Sequence, residues 1–406
     1  MNSYDRIGQA YVQLALRMDR HAAGFVDGYY GPPEWKAAID AEPLPPVTGL
    51  QEDARRLREA IVQTEMDAQR RDFLTKQVTA MGMVLRRLSG EDVPYVEEVQ
   101  GCFDITPSRT PETEFEEALR ELDTLLPGTG DLPARQLAWK RPFELPNDRV
   151  LPLAETALAE LRRRTVSILE LPANESMELK LVSGQPWSGY NWYQGEGHSR
   201  IEINTDLPVR ADSLVRIMAH EAYPGHHTEC AIKDERWYRQ AGRLEHSVVV
   251  LLAPECVISE GIATVAEDVV FPDKAELATW LREVLYPQAG IRVDVDLQLR
   301  LAKAGQKLAG VSGNAAFLLH ADRRPEDDVF EYIRQYTLST EQEARRSLAF
   351  ISNPLYRAYT FTYFYGRRLL QDAFATGGML DVFRWVIHEP VTPSAVVARF
   401  GVSKRV

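Results

Sequence analysis

Apolar residues recur at three- and four-residue spacing, with charged residues between them, over 51–66 and again over 68–89. That is the period of helices burying one face. Thr110-Pro-Glu-Thr-Glu-Phe115 predicts a third helix, with Thr110 as cap and Pro111 at the first helical position. It ends at Leu126-Pro-Gly-Thr-Gly-Asp-Leu-Pro133, the clearest break in the chain. The break suggests an N-terminal helical lobe over 1–130 and a second region over 131–406, joined as one continuous unit because no low-complexity linker accompanies it. The absence of an internal repeat counts against a helical solenoid.

The period changes to two at Met177-Glu-Leu-Lys-Leu-Val182 and at Arg200-Ile-Glu-Ile-Asn204, with Tyr190-Asn-Trp-Tyr193 between. These predict two or three short antiparallel strands, with Gly195-Glu-Gly197 as a hairpin turn. Residues 291–301 also alternate, but their neighbours are helical on both sides and a helix is expected there. The expected fold is therefore mainly α, with a small antiparallel sheet beside the helix that follows it.

Composition narrows the class of partner. With 47 Lys and Arg against 59 Asp and Glu the net charge is −12, and 45% of the residues are hydrophobic. Such a chain can bury a large core and lacks the basic surface of a nucleic-acid binder. No stretch approaches the ~18 apolar residues of a membrane span, and Ala10–Leu16 is too short and too polar for a signal peptide. The three dispersed cysteines argue for a reducing compartment, so a cytoplasmic protein without a membrane or nucleic-acid partner is expected. Oligomeric state is left open.

The chemistry is concentrated after the strands. From about Ala211, with Asp212 or Ser213 as cap, Leu214, Val215, Ile217, Met218 and Ala219 cover most of a helix, which must be buried. It runs into His220-Glu-Ala-Tyr-Pro-Gly-His-His227. A buried helix ending in three histidines and a carboxylate is costly unless they are paired or bind a metal. In H-E-x-x-H zinc enzymes histidines at i and i+4 share one face and hold the metal, while the Glu activates its water. Here position 224 is proline, which removes one helical hydrogen bond and clashes with the carbonyl of His220. A bulge or break at Tyr223-Pro-Gly225 is predicted, with Gly225 free to adopt a conformation other residues avoid. A two-residue bulge would bring His226 to the i+4 place. His227 shares the face of His220 but lies about 10 Å further along an unbroken helix, and spacing alone leaves both open.

A catalytic zinc takes three protein ligands and a water. The third candidate lies in Cys256–Asp268, an apolar helix with one polar stripe of Glu260, Thr264 and Glu267. Gly261 would let another helix approach closely. The expected metal set is His220, His226 (or His227) and Glu260 around one zinc ion per chain, with Glu221 catalytic.

These motifs resemble a bacterial family known as domain of unknown function number 885, whose pattern is H-E-x-x-P-G-H-H followed by E-G-W-A. More distantly they resemble the helical, gluzincin-like zinc carboxypeptidases of the thermostable type. The likeness runs from about Tyr190 to Arg368 and takes in Leu318-Leu-His320 and Tyr363-Phe-Tyr-Gly366. Thr228-Glu229 stands where the family usually has Leu-Gln, and Ile262 where it has Trp. The resemblance implies a zincin-like peptidase fold in which Tyr363, and after it Tyr365, stabilises the oxyanion, with His320 a further donor. Arg357 or Arg367 could clamp a C-terminal carboxylate, since guanidinium matches its geometry. The strand ending at Asn204 could hold an extended peptide by strand addition. The implied function is a zinc metallopeptidase, carboxypeptidase-like, acting on a peptide or small amide. Two rivals are a zinc amidohydrolase for non-peptide amides and a metal-free scaffold with a peptidase-like shell.

Overall fold

The structure is a computed structural model that describes residues 3–185 and 187–403. It is mainly helical with two small sheets. The first predicted helices form as Val47–Gln63 and Ala68–Leu88. The third begins one residue late, at Glu112, because Pro111 is extended and acts as the cap itself. The alternating stretch near 291 is indeed helical, over Val295–Gln306, and Asp294 caps it by accepting from the Leu297 amide. The break falls between the helices Glu112–Leu125 and Leu132–Lys140. Packing crosses that break: Phe115 shares a cluster with Val311 and Tyr336, and the largest core joins residues 7–105 to residues 248–257 and 315–365.

The sheet beside the site has three strands, β2 (Ser176–Val182), β3 (Gly189–Gly195) and β4 (His198–Asn204), in the order β2-β4-β3. β3 and β4 form the expected antiparallel hairpin, and its turn places Gly195, Glu196 and Gly197 all at positive φ. Left-handed angles at two of these three positions are cheap only for glycine. β2 pairs with β4 in parallel, with Leu179 opposite Ile201, so the sheet is mixed and not purely antiparallel. The reason is topological. The hairpin folds its second strand back into the middle, and a strand antiparallel to β3 there must run with β2. β4 is therefore the central strand. Its ladder is complete on both sides, which rules out strand addition along Arg200–Asn204. The second sheet, β1 (Val26–Tyr29) with β5 (Val248–Val250), was not evident from periodicity, since neither strand exceeds four residues.

Four helical segments position the chemistry. The leading helix, Ala211–Glu221, buries Leu214, Val215, Met218 and Ala219 in the second core. After a break the trailing helix runs over His226–Lys233. The Glu260 helix, Pro254–Val270, sends Val257 into the first core, Ala266 and Val270 into the second, and Ile258, Ile262 and Val265 into the third. Three cores around one helix explain its nearly continuous apolar surface. The tyrosine helix, Thr360–Gly377, crosses it at Gly261, where an added Cβ would lie 2.8 Å from the carbonyl oxygen of Gly366. The close approach expected at Gly261 is thus a glycine–glycine contact. Among the described residues no helix is long and apolar enough to cross a membrane.

Candidate metal centre

The leading helix stops where proline was expected to stop it. Ala222 leaves the helical region, and the Tyr223–Pro224 peptide is cis. Gly225 has an ordinary φ of −78°, so it is not a left-handed residue. Glycine is required there for space, because a Cβ would lie 1.9 Å from the carbonyl oxygen of His220. This tight return brings the His226 ring to 4.8 Å from the His220 ring, centroid to centroid.

His220, His226 and Glu260 each point one donor atom at a common space, all within 4.8 Å of one another. Glu260 Oε2 lies 3.4 Å from His220 Nε2 and 3.8 Å from His226 Nε2. It is buried and has no hydrogen-bond partner, a costly state for a carboxylate oxygen. Its other oxygen accepts a 2.7 Å bond from the Tyr359 hydroxyl. Burial would raise the Glu260 pKa, but the two imidazoles and the Tyr359 hydroxyl hold it below the usual carboxylate range. Two imidazole nitrogens and one orphaned carboxylate oxygen make a donor set that fits zinc.

His227 is excluded from this set. Its side chain is fully buried on the other side of the chain, with Nδ1 2.8 Å from Ser199 Oγ and Nε2 3.1 Å from Glu175 Oε2. Of the two histidines left open by spacing, His226 is the one that reaches the centre. Glu175 also takes the hydroxyl of Tyr223 and the guanidinium of Arg162. Burial opposes ionisation of Glu175, but His227, Tyr223 and Arg162 outweigh it and hold its pKa down at about 2. A carboxyl whose folded pKa lies below its unfolded value of about 4.3 stabilises the fold above that pH. The stability is lost as pH falls through the folded value. Wild-type thermal stability should therefore drop between about pH 4.3 and pH 2 by more than that of Glu175→Gln. The difference should be on the order of 2 kcal/mol, discounted because Arg162 is half exposed. Parallel melting profiles of the two proteins through that window would refute this role.

Glu221 is 8% exposed, with Oε1 4.0 Å from His220 Nε2, and it stands outside the ligand triangle. Burial holds its carboxyl above the usual range, against the pull of His220 and His226. Asn191 on β3 donates a 2.7 Å bond to its carbonyl and fixes the helix end. Glu221, the three donors, Tyr359 and Tyr363 line one cavity of about 660 Å³. Tyr363 is 37% exposed, and its ring stacks at 6.5 Å from that of His220.

Other expected site residues lie elsewhere. Tyr365 is buried and bonded to the Ser108 amide and the Thr106 carbonyl, two residues on and about 200° round the helix from the cavity face that Tyr363 occupies. His320 bonds to the Ile351 carbonyl at 2.6 Å and packs on Tyr95, outside the cavity wall. Arg357 is paired with Glu98, and Arg367 with Asp268 and the Thr264 carbonyl, so neither guanidinium is free to clamp a carboxylate in the cavity. The Asn204 amide is spent on the Gln185 and Trp187 carbonyls. The cavity residues that the sequence analysis did not single out include Tyr359, Asp27 on β1, which accepts the Tyr190 hydroxyl, and the buried His246. Only a density of tyrosines marked the first, and nothing local marked the other two.

No family model matches the chain, and no curated protein does. Several solved structures share its fold, among them the following two. A "putative lipoprotein" from Colwellia psychrerythraea aligns over 87% of this chain and 68% of its own, at 17% identity and a TM-score of 0.52. A "putative lipoprotein of unknown function" from Shewanella oneidensis aligns over 88% and 71%, at 12% identity and a TM-score of 0.50. At such identities the likeness is one of fold.

Proposed function

We propose that the chain is a zinc-dependent peptidase of the kind its H-E-x-x-P-G-H-H motif resembles, acting on peptides or small amides. The observation that carries this reading is the convergence of His220, His226 and the orphaned Glu260 oxygen in a cavity that also holds Glu221. A zinc ion held by those three residues would polarise a scissile carbonyl and bring the acidity of a bound water towards neutral. Glu221 takes the proton of the attacking water and hands it to the leaving amine, a task suited to a carboxyl whose pKa is raised by burial. The Tyr363 hydroxyl, on the wall beside His220, donates to the oxyanion. Tyr359 holds Glu260 in place. Substrate backbone is met by β3, an outer strand of its sheet whose Gly189, Tyr190 and Asn191 line the cavity. A carboxypeptidase-like preference would draw on Arg346, which lines the cavity and would have to be shared with Asp206, 3.4 Å from its guanidinium.

Elemental analysis of protein purified without chelator or affinity metal tests the centre. About one zinc per chain is expected in wild type and in His227→Ala, with zinc lost from His220→Ala, His226→Ala and Glu260→Ala. Zinc retained in His226→Ala and lost in His227→Ala would overturn the ligand assignment. No zinc in wild type after incubation with the metal would favour the metal-free scaffold. Peptides with free and blocked C-termini, assayed beside non-peptide amides, then separate carboxypeptidase, endopeptidase and amidohydrolase.

A further inference from the structure

Behind the centre, a chain of polar contacts leads from the back of the His226 ring into the protein. His226 Nδ1 lies 3.1 Å from Ser259 Oγ, and Ser259 Oγ donates a 2.6 Å bond to Glu229 Oε2. Lys233 Nζ donates a 2.6 Å bond to the other oxygen, Glu229 Oε1, and stands 3.5 Å from Glu255 Oε1. Glu229 and Lys233 are one turn apart on the trailing helix, while Ser259 precedes Glu260 on its neighbour.

The direction of each bond follows from what the groups can do. A carboxylate only accepts, so the one hydroxyl proton of Ser259 is committed to Glu229. Towards His226 the serine oxygen can then only accept, and Nδ1 must carry the imidazole proton. In the neutral ring that leaves a lone pair on Nε2, the atom that faces Glu260. We propose that Ser259 and Glu229 are positioning residues that, held in direction by Lys233, keep His226 in the tautomer able to bind the metal through Nε2. The cost of the arrangement supports a use for it. Glu229 and Lys233 are 3% and 5% exposed, and an apolar pair of similar volume is often as stable or more so than a buried ion pair. The same bonds also tie the His226 helix to the Glu260 helix, so both ligands are registered together. Partners of this second kind typically contribute about 10–100-fold to metal affinity.

The proposal rests on the metal reading of the site, and its test separates the two. Glu229→Gln keeps the shape but offers Lys233 a choice of amide oxygen or nitrogen. The ammonium takes the oxygen, so the amide nitrogen faces Ser259. The serine oxygen then accepts from that amide, and its freed proton is expected to turn to His226 Nδ1, leaving Nε2 protonated. Nitrogen-15 shifts of the His226 ring in metal-free protein should show Nδ1–H in wild type and Nε2–H in Glu229→Gln. Zinc affinity, by competition with a chromogenic chelator, should fall about 10–100-fold. Adding Lys233→Met, which frees the amide to turn its oxygen to Ser259, should restore both.

Glu255→Gln is the control for charge. It makes the same change beside the same lysine without touching Ser259, and it should leave affinity within a few-fold of wild type. Ser259→Ala should weaken zinc binding and Ser259→Thr should recover it, with melting curves confirming that each variant is folded. An unchanged tautomer in Glu229→Gln, or equal losses in Glu229→Gln and Glu255→Gln, would overturn the relay. Wild type that binds no zinc yet shows the expected tautomer switch would overturn the metal reading and leave the relay geometry supported.

Discussion

In the proposed zinc peptidase, Glu221→Gln is expected to keep zinc and lose catalysis, with turnover of a peptide substrate falling by about 10²–10⁴-fold. The two halves of that result have separate causes. Zinc is kept because Glu221 stands outside the donor set, and the amide preserves its volume at a site only 8% exposed. Catalysis is lost because an amide cannot take a proton from water and return it to an amine. Removing a buried carboxylate from beside the cation also removes some attraction for it, so metal affinity should fall modestly while zinc is still retained. The measurement is zinc content and steady-state rate on the same preparation. Loss of zinc together with activity would make Glu221 a ligand. Full activity with zinc retained would remove it from the mechanism and leave the centre without a base.

The parts of this site that the sequence disclosed are those governed by local chemistry. A helix apolar around most of its surface announced its own burial, and proline at 224 announced its end. Glu260 stood out because the histidine cluster needed a third ligand and the polar stripe of the Cys256–Asp268 segment offered one. The distinction between His226 and His227 was beyond reach, since it depends on the path of three residues through the break. That path is set by close packing of Gly225 on the His220 carbonyl. The roles of Tyr359, Tyr363 and Tyr365 could not be separated either. All three lie in one tyrosine-rich run, and only the crossing at Gly261 and Gly366 decides which ring meets Glu260, which meets the cavity and which meets Ser108.

The misassigned arginines fail for a related reason. Their partners, Glu98 and Asp268, are 259 and 99 residues away in sequence, and the local pattern of charge holds no trace of such pairs. The parallel pairing of β2 with β4 is also non-local. Alternation identifies a strand and its faces but says nothing of which neighbour it joins.

Gly225→Ala should destroy the centre while leaving most of the fold, because an added Cβ meets a closer atom there than at any other glycine of the chain. The added carbon would lie 1.9 Å from the His220 carbonyl oxygen and 2.4 Å from that of Ala219. Both are backbone atoms at the end of a packed helix, so no side chain can swing aside. Overpacking of an ordinary core costs about 1–3 kcal/mol, and a clash with two fixed carbonyls should reach at least the upper end of that range. Relief requires the break to open, which draws His226 away from His220 and Glu260. Zinc content should therefore fall with the melting temperature, even though no ligand has been altered. Gly82→Ala provides the contrast. That glycine lies within the helix Ala68–Leu88, and a Cβ added to it would meet nothing within 4 Å. Alanine there should be neutral or stabilising by up to about 1 kcal/mol. If Gly225→Ala melts and binds zinc as Gly82→Ala does, the tight return is not what places His226, and the geometry assigned to the centre is wrong.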